Sequence, residues 1–239
     1  MVASSKLADD TTIPDRTRSG IVVSVAGSEL ATIVSALVGA VVAMRRSRRA
    51  QRTITKLDAL ALRKPINKAS VAVLGGLLGA LTFNKFGFSL EMVAYGLMIA
   101  MCIEQSIIDY ATHRLPRGVT SRAAIVGGPL LTLAAINHDD NGRIGVMFAS
   151  FVVTLALFAL LAAFSKGGIG GGDVRLAPVL AMFLGWLGAS HVYIGLGVGF
   201  ILGGIAAGGM LVTRRASTST RIAFGPFLCI GAVIALFVH

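Results

Sequence analysis

Residues 21–49, IVVSVAGSELATIVSALVGAVVAMRRSRR, decide how the rest of the chain is read. The block from Ile21 to Met44 is apolar apart from a few small polar residues and Glu29, and it runs directly into Arg45-Arg46-Ser47-Arg48-Arg49. A membrane-crossing helix needs about 20 largely apolar residues. The apolar core of a cleaved signal peptide is shorter, about 7–15 residues. A long block closed by a basic run is a stop-transfer pattern, so it is expected to stay as a first transmembrane span. Residues 1–20 ahead of it, with Asp9, Asp10, Pro14 and Asp15, are expected to be a disordered extracytoplasmic tail. Residues 45–68 then form a basic cytoplasmic loop, and 69–239 a membrane domain.

The remaining sequence is of the same kind. Hydrophobic residues make up 55% of the chain and charged residues 14%, against roughly 45–50% and about 25% in soluble domains. Mean hydropathy is +0.80, and the apolar residues fall in blocks. The length criterion gives eight spans, near 21–44, 69–86, 90–108, 119–136, 144–164, 174–190, 191–213 and 222–238. The expected fold is an all-α, polytopic membrane helical bundle of about eight transmembrane helices.

Charge sets the orientation. One set of loops carries Arg45, Arg46, Arg48, Arg49, Arg52, Lys56, Arg63, Lys64 and Lys68, then Arg114, Arg117 and Arg122, then Lys166 and Arg175, and finally Arg214, Arg215 and Arg221. These are 17 of the 22 basic residues. The positive-inside rule makes that side cytoplasmic, and eight spans satisfy it without exception. The same placement explains the net charge of +11 without a nucleic-acid partner, since no basic surface interleaved with aromatics is present. The basic segment could equally be a solvated anchor or a contact to anionic membrane lipid.

Cys102 and Cys229 lie far apart in sequence inside apolar segments and form no CxxC pair. Buried small hydrophobes describe them best, with no metal site, no cofactor and no disulfide framework expected. Four glycine pairs at G-x-x-x-G spacing, Gly75/Gly79, Gly195/Gly199, Gly199/Gly203 and Gly204/Gly208, allow close helix approach in lipid. Packing within one chain is the preferred role; a homodimer seam is the alternative, and the oligomeric state is left open.

Two segments carry chemistry. Asp109 closes the third span in IDYATHRLP (108–116), and Asp173 opens the sixth after the glycine-rich run GGIGGG (167–172). Both fall on the cytoplasmic side although 64 residues separate them. An acid at a helix end is commonly just solvated, paired with Arg, or an N-cap. Five glycines immediately before Asp173 add something else: backbone free to take positive φ and open to close approach by another chain. Two carboxylates brought together share a proton, so one can activate water while the other polarises a carbonyl. The sequence has no H-E-x-x-H or G-x-S-x-G, and the glycine run lacks the Gly-Lys-Ser/Thr of a phosphate loop.

At these residues the chain resembles the type IV prepilin peptidases, the GxGD aspartic peptidases of bacterial membranes. Gly168, Gly170, Gly172, Asp173 and Leu176 match the G-x-G-x-G-D-x-K-L signature, and Asp109, Leu115, Pro116 and Thr120 match the family's earlier aspartate motif. Phe224-Gly225-Pro226-Phe227 matches a third element, although Pro there would also suit a plain helix start. The resemblance implies Asp109 and Asp173 as the catalytic pair. Gly168, Gly170, Gly172, Leu115, Pro116, Arg175, Phe224, Gly225 and Pro226 become loop or substrate-binding residues. The substrate would be a prepilin or pseudopilin with a short basic leader, a glycine before the scissile bond and an apolar helix after it, cut at the cytoplasmic face of the inner membrane.

Arg175 departs from the family's Lys and keeps a positive charge beside Asp173, either lowering that carboxyl's pKa or anchoring topology. The segment after the first span lacks the tetracysteine insert of bifunctional members, so methyltransferase activity is not expected to follow. Two other functions fit less well. A proton-coupled small transporter would use Glu104 and Asp109 as a relay, and a non-catalytic scaffold for pilus assembly would use neither aspartate.

Overall fold

The computed structural model describes residues 15–57, 67–165, 170–212 and 223–238, and among these it contains eight α-helices and no strand. They are α1 (Asp15–Leu57), α2 (Lys68–Phe86), α3 (Leu90–Thr112), α4 (Arg117–Asn137), α5 (Gly142–Phe164), α6 (Asp173–Leu187), α7 (Ala189–Val212) and α8 (Gly225–Phe237). The chain is a helical membrane bundle. Six helices, α1 to α5 and α7, are long and apolar enough to cross a bilayer. The other two differ from expectation: α6 has 15 residues and α8 has 13. At 1.5 Å per residue these reach about 22 and 20 Å, short of a hydrocarbon core of about 30 Å.

Two boundaries moved for local reasons. α1 does not stop at Met44 but continues as helix to Leu57, and at its other end it already includes Asp15 to Gly20. Arg45 to Arg52 are therefore displayed on a helix rather than in a loop. The continuation is held by burial, because Ala50 and Ile54 pack on Ile108 of α3. Residues 1–14 of the expected tail and 58–66 of the expected loop lie outside the described residues. The break between the sixth and seventh spans falls at Gly188, whose φ of 134° favours glycine and turns the chain between α6 and α7.

Sequence explains where other helices start. Asn67 Oδ1 accepts from the Ala69 and Ser70 N–H groups at 3.0 and 3.4 Å, capping α2. Ser89 caps α3 through Met92 N–H at 3.2 Å, with Glu91 in the first turn where the helix dipole favours an acid. At the far end of the bundle Lys85 Nζ donates to the Leu236 carbonyl at 2.6 Å, satisfying one of the last carbonyls of α8.

The helices bearing the two aspartates are the interior ones. Every residue from Leu176 to Trp186 of α6 is buried, and α3 is buried along most of its length. Tyr95 of α3 donates its hydroxyl to the Phe183 carbonyl of α6, and Trp186 Nε1 donates to the Leu131 carbonyl of α4, each at 2.9 Å. Buried polar groups in lipid need such partners. The outer helices show the opposite pattern, with Leu30, Ile33, Val34 and Leu37 of α1 and Phe148 and Val153 of α5 exposed.

Small residues let the outer helices close on the core. A Cβ on Gly75 would lie 2.2 Å from Ala43 Cβ and 2.7 Å from the Gly39 carbonyl oxygen. Gly195 and Gly199 are similarly tight against α6 and α8, and Gly203 against Phe224, whereas Gly204 and Gly208 face open space. Three of the four expected glycine pairs thus pack within the chain. Gly75→Leu is expected to part α1 from α2 at a cost of at least about 1–3 kcal/mol of overpacking. Lower thermal stability in detergent would report it; an unchanged melting profile would contradict the contact.

Candidate active site

Asp109 sits one turn before the end of α3 and is 4% exposed. The helix closes at His113, which takes the left-handed conformation (φ 51°) and donates its N–H to the Asp109 carbonyl at 2.8 Å. The chain then turns through Leu115 to Pro116, the N-cap of α4. Gln105, one turn before Asp109, secures that turn: its Nε2 donates to Thr120 Oγ1 at 2.5 Å and to the Pro116 carbonyl at 3.4 Å. Gln105 is fully buried and was not picked out from the sequence. Its signal was available, a polar side chain at i−4 from Asp109 and hence on the same helix face.

Leu115 occupies the junction of three segments. A Cβ on Gly172 would come within 2.6 Å of Leu115 Cβ, and one on Gly225 within 3.2 Å of Leu115 Cδ2 and 2.8 Å of Asp109 Oδ2. Glycine at 172 and 225 is what allows the ends of α3, α6 and α8 to meet around this leucine. The Gly225 N–H donates to Asp109 Oδ2 at 3.0 Å. It belongs to the first turn of α8, where backbone donors have no helical partner and carry the positive end of the dipole. Pro226 lacks an N–H and has its φ preset for that turn. Phe224 meets Phe200 in a tilted ring contact, 5.2 Å between ring centres, and lies against Gly203, holding the start of α8 on α7.

Asp173 is the first residue of α6, ahead of its apolar run and outside the six membrane-crossing helices. It is 7% exposed. The Gly170 carbonyl accepts from the N–H groups of Asp173 and Val174 at 3.0 and 3.3 Å, and the Gly172 carbonyl from Leu176 at 2.9 Å. Burial pushes the Asp173 carboxyl up to about 7; the negative charge of Asp109 adds in the same direction, and a backbone hydrogen bond at Gly170 opposes them. The two aspartates are therefore near enough for one charge to disfavour the other. Asp173 Oδ1 is buried with no hydrogen-bond partner among the described residues.

Several expectations change here. Arg175 is exposed, and the Asp173 carboxyl is raised and not lowered. Among the described glycines of the run, Gly170, Gly171 and Gly172, none has positive φ. Gly172 is there for close approach, and the group that approaches is Leu115 of the same chain. Gly168 lies outside the described residues. Cys102 and Cys229 are buried free thiols, in keeping with their reading as small buried residues; what sequence alone did not show is that they interact across the α3–α8 contact. Glu104 is 2% exposed and ion-paired to Arg46 Nη1 at 2.7 Å, so it is committed to holding α1 on α3.

Residues 92–213 match the type IV leader peptidase family. Curated relatives named prepilin leader peptidase/N-methyltransferase include proteins of Pseudomonas aeruginosa, Bacillus subtilis and Escherichia coli. The first is 31% identical over 186 residues, 74% of this chain and 59% of the relative. The second is 26% identical over 154 residues, 63% and 58%, and the third 30% identical over 138 residues, 55% and 56%. The chain thus spans under three-fifths of the length of these relatives. No solved structure matches. With its own motifs and half of its length accounted for by one family, the chain belongs to the type IV leader peptidases.

Proposed function

We propose that the protein is a membrane aspartic endopeptidase that removes the leader peptide of type IV prepilins or pseudopilins at the cytoplasmic face of the inner membrane. The observation that carries this is the approach of two buried carboxylates, Asp109 near the end of α3 and Asp173 at the start of α6, with the charge of Asp109 acting on Asp173 and the first turn of α8 donating an N–H to Asp109. Such a pair holds one proton between them. The raised carboxyl of Asp173 is its natural carrier, and its unpartnered Oδ1 is free to hydrogen-bond a scissile carbonyl oxygen. The ionised partner takes a proton from water as the water oxygen attacks the carbonyl carbon. Collapse of the tetrahedral intermediate breaks the C–N bond and returns a proton to the leaving amine.

Only the peptidase half of the relatives' name is extended to this chain. The transport reading loses its main support, because Glu104 is paired to Arg46 and is not an open relay. Incubating the purified protein with a synthetic prepilin and weighing the products by mass spectrometry tests the proposal. A new product ending after the leader glycine is expected; an intact substrate would overturn it.

The pH dependence follows from Asp173. Above its pKa the shared proton is lost, leaving two like charges and no donor for the carbonyl. Cleavage is expected to fall as pH rises through about 7. A rate that stays flat from about pH 6 to 9 would contradict a shared-proton pair.

A further inference from the structure

α1 extends past the membrane-crossing block as a helix, and Arg45, Arg48, Arg49 and Arg52 recur along it at three- and four-residue spacing, which places them on one stripe. All four are exposed. Together with Arg46 and Val42 they line a hollow of about 360 Å³. Among the described residues only Arg46 of these five has a carboxylate within ion-pair distance, Glu104 at 2.7 Å. The hollow is a concentration of positive charge that the chain itself leaves largely unbalanced.

A solvated basic face would account for the charge but not for what adjoins it. Val42 and Arg46 also line a second cavity of about 300 Å³ between α1, α2 and α3, with Val38, Val93 and Gly96 among its walls. Its wall hydroxyls are already spent, Ser35 donating to the Thr32 carbonyl and Thr82 to the Leu78 carbonyl. Val38 and Val93 are exposed along it, and a Cβ on Gly96 would touch nothing within 4 Å. An arginine-lined hollow at the end of a membrane helix thus adjoins an apolar groove on the lipid-facing side, with Val42 and Arg46 as shared walls.

We propose that this composite cavity binds one anionic phospholipid, its phosphate held by Arg45, Arg49 and Arg52 and an acyl chain lying in the groove over Gly96. Guanidinium groups match phosphate oxygens in charge and geometry, and juxtamembrane basic clusters attract anionic lipid. A substrate helix with a basic leader meets like charge there, so charge complementarity selects lipid over peptide. Because Ala50 and Ile54 of the same stretch pack on Ile108, next to Asp109, the lipid would brace the helix that backs the aspartate-bearing end of α3.

The test uses the full-length protein in mild detergent, offered equal amounts of phosphatidylglycerol and phosphatidylcholine and read by native mass spectrometry. One phosphatidylglycerol is expected to be retained in preference. Arg45→Gln/Arg49→Gln/Arg52→Gln should lower its retention roughly 100-fold, at about fivefold per arginine. Gly96→Leu, which fills open space and favours helix, should lower retention with every arginine in place. Circular dichroism checks that both variants keep wild-type helicity. Equal retention of the two lipids, an unchanged triple variant, or an unchanged Gly96→Leu would overturn the site. So would displacement by inorganic phosphate at the lipid's concentration, which would indicate a phosphate site without a tail groove. Displacement by a prepilin helix peptide that the triple variant binds equally well would make the groove a substrate seat and reject the lipid.

Discussion

Asp109→Asn and Asp173→Asn are each expected to reduce processing of a co-expressed prepilin by at least about 1,000-fold, to background, with the protein still present in the membrane. Asparagine keeps the size of the side chain, and its carbonyl oxygen can still accept from the Gly225 N–H that reaches Asp109 Oδ2 at 3.0 Å. The fold has no reason to collapse. At position 173 the amide removes a buried carboxyl that burial and Asp109 already disfavour as an ion. What is lost in either case is a group able to exchange a proton with water or the leaving amine. On the proposed mechanism, in which the two carboxyls share one proton, the double variant should be no worse than either single one. Processed and unprocessed prepilin separate on a gel, and the membrane fraction reports the protein level. Wild-type processing by either variant would end the assignment of a catalytic pair.

The second large effect concerns a residue with no side chain. Gly225→Val would place a Cβ at 2.8 Å from Asp109 Oδ2 and 3.2 Å from Leu115 Cδ2, with two further carbons to house. The cheapest relief is movement of the Asp109 carboxyl or of the start of α8, and a misplacement of about 1 Å in a catalytic geometry can cost about 100-fold. Cleavage should drop by about that factor while the amount of membrane-inserted protein changes little. Gly231→Val is the informative contrast. Its Cβ would strike the Gly195 carbonyl and Gly199 backbone of α7, so it should lower protein level and activity together. Should Gly225→Val behave in the same way as Gly231→Val, Gly225 would be a packing residue and not a positioning one.

Much of the bundle was legible because lipid enforces a simple rule: backbone in hydrocarbon must be helical, and each crossing needs a certain length of apolar residues. The helices from 68 to 164 start and end within a few residues of where apolar blocks and polar junctions place them. Length misled at α6 and α8. Hydropathy counts apolar residues without knowing whether they face lipid or protein, and the buried run from Leu176 to Trp186 owes its apolarity to neighbouring helices. The extension of α1 was missed for the converse reason. Arg45 to Arg52 look like loop by charge, while Ala50 and Ile54 on the buried side find a surface on Ile108 that only the folded bundle supplies.

The two aspartates divide along the same line. Sequence alone determined that Asp109 falls near the end of one apolar helix, that Asp173 opens another, and that a glycine run precedes the second, because these depend on composition and local order. Tertiary structure decided that the charge of Asp109 acts on Asp173, that Leu115 fills the gap beside Gly172 and Gly225, and that the first turn of α8 aims an N–H at Asp109. Those relations join residues 64 and 116 positions apart along the chain. No local pattern encodes such distances; the packing of α3, α6 and α8 sets them.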